Sequence, residues 1–91
     1  MKEHGFYSRK WLNREGHYGT AFILAKVGKK GNSGIDATVT LSDCYRQIDL
    51  SFDVCDREDL ENSRFKLDNI IETLTLFRDE FERQAKGLKL P

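Results

Sequence analysis

In the last third of the chain an apolar residue returns every seven positions: Leu60, Leu67, Leu74, Phe81 and Leu88. Ile70 and Phe77 fall three residues after two of these, and Ile71 and Ala85 four after, so all of them lie along one side of a single long helix. Asp56 is placed to cap the first turn, with Glu58 and Asp59 where the helix dipole favours acids. Gly87 is the natural left-handed terminator, with Leu88 positioned to pack back on the last turn. From Arg57 to Lys86 such a helix spans about 45 Å at ~1.5 Å per residue. Any fold for this chain must cover that stripe.

What precedes the helix reads as strands. Ile35, Ala37, Val39 and Leu41 alternate with Asp36, Thr38, Thr40 and Ser42, a period of two. The apolar parity then flips, so that Cys44, Ile48, Leu50, Phe52 and Val54 face inward. A tight turn at Ser42-Asp43 explains the flip by pairing Leu41 with Cys44, Ala37 with Ile48 and Ile35 with Leu50. A bulge bending one long strand is the alternative; Ser-Asp suits a type I′ turn poorly, and the hairpin is only slightly favoured. Upstream, Phe6 to Leu12 and His17 to Val27 form a hairpin about the turn Asn13-Arg14-Glu15-Gly16. Gly28 to Gly34, with three glycines and no apolar residue, reads as a mobile loop.

The expected fold is therefore α+β: an antiparallel three- to four-stranded sheet in residues 1–54, followed by one long amphipathic helix over 56–87 packed on one face. Residues 1–91 form a single domain. A chain of 91 residues has a thin stability margin, and 38% apolar against 33% charged residues makes it wet. Strands of eight to ten residues cover only ~26–33 Å. The helix outruns them by one or two turns, and Phe65 and Leu76 lie off the stripe. Leu60, Leu67, Ile70, Ile71, Leu74, Phe77 and Phe81 are thus expected to serve as core against the sheet and, where they overhang, as a homodimer seam.

Net charge is zero, yet residues 1–34 carry seven Lys/Arg against two acids and residues 35–91 eight against thirteen. That division suits a charged partner on one face or contacts between copies, and does not suit a general DNA coat. No apolar run approaches the ~18 residues of a membrane span, and no signal-type stretch opens the chain. Cys44 and Cys55 lack CxxC spacing and read as reduced thiols of a cytoplasmic protein.

With the turn at Asn13–Gly16, Leu12 pairs with His17, Trp11 with Tyr18, Arg9 with Thr20 and Tyr7 with Phe22. One face of the hairpin carries Phe6, Ala21, Ile23, Ala25 and Val27, suited to packing under the helix. The other carries Tyr7, Trp11, Tyr18, Phe22 and Leu24 with Arg9 and Lys26, too aromatic for ordinary solvent-facing surface. Three roles compete for it: cover for a thin core or a second subunit, a protein-binding hot spot, or a stacking platform for a nucleobase or single strand with Lys29 and Lys30 on phosphate.

Catalytic and cofactor chemistry has weak support. His4, His17, Cys44 and Cys55 include no pair with zinc-ligand spacing. Gly28 to Gly34 lacks the Ser/Thr and helix start of a phosphate loop. The pairs Glu58-Asp59 and Asp79-Glu80 suit a solvated helix face. Cys44 with His17 is a conceivable nucleophile and base, but Cys44 falls at an apolar position where a thiol is inert. The expectation is no enzyme, no cofactor and no metal.

The run Lys10-Trp11-Leu12-Asn13 through Gly16-His17, then Leu41-Ser42-Asp43-Cys44-Tyr45-Arg46 and Lys66-Leu67-Asp68, resembles small uncharacterised accessory proteins of bacteriophages. The resemblance implies a protein that binds and disables a host or defence component, or sequesters a small signal, in the host cytoplasm. The reading from the residues is a non-enzymatic binding protein, dimeric through its helix. Its contact is the hairpin face or the acidic helix side of Glu72, Asp79, Glu80 and Glu82. A nucleotide or single-stranded nucleic-acid binder using Lys26, Lys29 and Lys30 is the alternative.

Overall fold

A computed structural model describes residues 2–16 and 20–91, with side chains from Gly5 onward. Four strands in the order β1 (Lys2–Trp11), β2 (Phe22–Lys30), β3 (Gly34–Asp43) and β4 (Arg46–Ser51) form one antiparallel meander, followed by helix α1 (Arg57–Ala85). The chain is an α+β protein with the expected order of elements.

The registers differ from the sequence expectation by four residues at two places. Trp11 lies opposite Phe22, Arg9 opposite Leu24 and Tyr7 opposite Lys26, so β1 and β2 are joined by residues 12–21 and not by a four-residue turn. The longer connection sets Trp11 beside Phe22 and lets β2 run on to Lys30, paired on both sides. Gly28, Lys29 and Lys30 therefore belong to a strand, and the supposed mobile loop shrinks to the turn 31–33, where Gly31 takes φ +61°. The expected pairings of His17 and Tyr18 fall on residues outside those described.

The parity flip after Leu41 is a hairpin, but its turn is Cys44-Tyr45. Asp43 faces Arg46, Leu41 faces Ile48 and Val39 faces Leu50. This register extends the ladder by Ser42 and Asp43 and opposes branched apolar residues directly. Cys44 consequently sits exposed at the tip with φ 59°, correcting its expected inward position. A positive φ at the first central residue only is the type II′ pattern, which ordinarily takes glycine there.

Because each shift is even, the division of side chains between the faces survives. One face carries the rows Lys10–Ile23–Leu41–Ile48, Ser8–Ala25–Val39–Leu50 and Phe6–Val27–Ala37, the last continued by Phe52, whose N–H donates to the Ala37 carbonyl at 2.8 Å. The other carries Trp11–Phe22–Ser42–Gln47, Arg9–Leu24–Thr40–Asp49 and Tyr7–Lys26–Thr38–Ser51.

The helix starts as expected. The Asp56 carboxylate accepts from the Asp59 N–H at 2.8 Å, and the Asp59 carboxylate accepts from the Cys55 N–H at 3.1 Å, an exchange resembling a capping box. Its end differs: Gly87 has no left-handed φ, its N–H donates to the Gln84 carbonyl at 3.1 Å, and Leu88 stays exposed. The last turn tightens and no glycine cap forms.

The placement of the helix is the main correction. Residues 52–54 bond to β3, with Ile35 and Val54 exchanging both backbone hydrogen bonds at 2.9 and 2.8 Å. The first turns of α1 then rest on the end of the sheet: Phe52 is 4% exposed, and the Lys66 ammonium stands 4.9 Å from its ring centre and donates to the Ser51 carbonyl at 2.7 Å. Past Ile70 the helix leaves the sheet, and every residue to Gln84 is exposed. The stripe is not packed on a face of its own sheet. The chain extends over 56 × 27 × 20 Å with a radius of gyration of 16.8 Å, against about 12 Å for a compact chain of this length. Among the described residues the buried apolar side chains are Ala21, Ala37 and Phe52.

Candidate functional site: an aromatic and cationic sheet face

Alternation along β1 and β2 puts Tyr7, Arg9, Trp11, Phe22, Leu24 and Lys26 on one face, and the cross-strand register brings them into one patch. Trp11 meets Phe22 edge to face, with ring centres 6.1 Å apart. The Arg9 guanidinium carbon lies 4.7 Å from the centre of each ring, so the cation is held by two π faces at once. Tyr7 and Trp11 are 64% and 61% exposed, while Phe22 and Leu24 are half-buried beneath them. The arrangement fixes a flexible arginine through aromatic contact and leaves its N–H edge free to meet an acceptor.

On β3 and β4 the same face turns polar. Thr40 and Ser42 are buried, and the Thr40 hydroxyl donates to the Asp49 carboxylate at 2.8 Å. Ser42 stands directly opposite Phe22 and Thr40 opposite Leu24, so the polar half continues the aromatic patch on one face of the sheet.

Several expected site residues are placed elsewhere. Tyr18 lies outside the described residues. Lys30 shares the face of Lys26 but forms an ion pair with Asp36 at 3.4 Å. Lys29 stands opposite Ile35 and so belongs to the other face, because β2 continues where a loop was expected. The proposed phosphate-contacting pair is thereby split. Lys26 is exposed beside Tyr7.

On the helix, Leu60 and Ile70 are half-buried, whereas Leu67, Ile71, Leu74, Phe77 and Phe81 are exposed. Phe77 and Phe81 touch each other, with ring centres 6.3 Å apart. The acidic side carries Glu72, Asp79, Glu80 and Glu82 in solvent. Glu80 accepts from the Arg83 guanidinium (Nε at 3.0 Å) and the Gln84 amide at 2.8 Å, and these bonds hold its carboxyl below the usual glutamate range. Its charge is already engaged within the helix, which weakens this side as a contact for a basic partner.

Cys44 and Cys55 are both free and exposed. Among the described residues no three His, Cys, Asp or Glu side chains gather as a metal site would require. No described helix is long and apolar enough to cross a membrane. Comparison with protein-family models, curated proteins and solved structures finds no match.

Proposed function

We propose that this is a non-enzymatic binding protein that works as a homodimer and occupies the surface of a protein partner with the face built by Tyr7, Arg9, Trp11 and Phe22. The observation that carries the reading is Arg9 held between two rings on an open sheet face. Tyr, Trp and Arg are the residues in which binding energy concentrates at protein interfaces. An arginine already ordered loses less entropy on engaging a carboxylate. The partner chemistry that fits is an acidic or carbonyl-rich epitope beside an apolar spot large enough for Trp11.

Stacking of a nucleobase uses the same residue types, but the cations that would hold phosphate are poorly disposed for it. Lys30 pairs with Asp36, Lys29 is on the opposite face, and Asp49 adds negative charge to this one. The resemblance to phage accessory proteins is the sole support for a host or defence component as the partner, met in the host cytoplasm.

The test is capture from host lysate with mass spectrometry, comparing wild type, Trp11→Ala and Arg9→Ala. One protein retained by wild type and lost at least tenfold in both variants is the expected result. Absorbance near 260 nm that co-purifies and is removed by high salt would replace this reading with nucleic-acid binding.

A further inference from the structure

The chain exposes 8268 Å², whereas a folded single chain of 10.6 kDa exposes roughly 5,500 Å². The excess is about 2,800 Å², and two apolar surfaces stand exposed in the single copy. One is the sheet face opposite the aromatic patch, where Phe6, Val27 and Ile48 stand 52%, 41% and 55% exposed. The other is the helix stripe beyond Ile70. Neither covers the other within one copy, because the backbone bonds of Val54 to Ile35 and the seat of Lys66 on Phe52 direct the helix off the end of the sheet.

We infer that the apolar sheet face is the docking surface for helix α1 of a second copy, so that two copies exchange helices reciprocally about a two-fold axis. The inference rests on the homodimer part of the proposed function and specifies its geometry. Three observations favour this occupant. The stripe holds an apolar residue at Ile71 as well as at the two heptad positions represented by Leu74 and Phe77, giving a band more than ~100° wide that fits a flat face better than the narrow seam between two helices. From Leu67 to Phe81 it runs ~21 Å, within the ~30 Å that strands of nine or ten residues offer. Obligate homodimers bury about 2,000–5,000 Å² in total, so two copies can absorb most of the excess and the symmetry closes the assembly. A helix-to-helix seam would leave Ile48 and Val27 in water. The exchange also leaves both aromatic faces outward, one on each side of the dimer.

The test co-expresses two forms of the full chain, both with Cys44→Ser and Cys55→Ser, one carrying Leu74→Cys and the other Ile48→Cys. Oxidation is expected to yield a disulfide-linked heterodimer as the main product, and light scattering of wild type a mass of twice 10.6 kDa. Ile48→Glu, at a site exposed in the single copy, is expected to weaken self-association at least tenfold. A wild-type dimer that forms no helix-to-sheet crosslink and is indifferent to Ile48→Glu would overturn the exchange while keeping the homodimer. A monomeric wild type would overturn both.

Discussion

Phe52→Ala is the sharpest probe of how the helix is joined to the sheet. Phe52 is 4% exposed and sits where β3, the end of β4 and the first turns of α1 meet. Truncating a buried phenylalanine costs about 3–5 kcal/mol, from lost transfer free energy and the cavity left behind. The Lys66 contact adds on the order of 0.5–1 kcal/mol, not fully additive with the first. With a urea slope of ~1.5 kcal/mol/M, the midpoint should fall by roughly 2–3 M, enough to unfold a domain of ordinary marginal stability. Unfolding followed by circular dichroism at one fixed protein concentration is the assay, since self-association makes the midpoint concentration-dependent. Phe65→Ala is the control: the same atoms are removed from a helix position 67% exposed and off the stripe, and the change should stay within about 0.5 kcal/mol. A loss below ~1 kcal/mol for Phe52→Ala, or equal losses for the two variants, would refute this account of the junction.

Cys44→Gly should stabilise the protein by about 1 kcal/mol, because it relieves a left-handed backbone at a side-chain-bearing residue; thermal or urea unfolding reads it, and destabilisation would argue against a type II′ turn. Asp56→Ala should cost about 1 kcal/mol through loss of the Asp59 N–H acceptor, with Asp56→Asn recovering most of it. Glu80 should titrate below its usual value near 4.5, and Arg83→Ala should move it upward in a carboxyl-carbon NMR titration. Its contribution to the folded state is complete above the unfolded value and fades as pH falls through the lowered folded one, so an unchanged titration in the variant would remove the pair from the argument.

The helix and its start were readable from local signals, whereas its end without a glycine cap was not: the 3.6-residue recurrence, an acidic N-cap and an acidic first turn act within one or two turns of the chain. Which residues share a sheet face was also readable, since a strand alternates with period two and both register errors were of four residues. Turn positions were not. Asn13–Gly16 offers plausible local turn chemistry and Ser42-Asp43 only poor turn chemistry, and in both places ladder length and the pairing of Trp11 with Phe22 and Leu41 with Ile48 decide the register. The Arg9 clamp follows from that pairing, so its members were legible and their contact was not.

Length and periodicity alone determined that the chain makes a helix with more apolar edge than its strands can shelter. Only the tertiary structure decided where that edge goes, because the direction of α1 is set by non-local bonds between residues 52–54 and β3 and by the packing at Phe52. Hydrophobic pattern specifies which side of an element avoids water but carries no information about which surface will cover it.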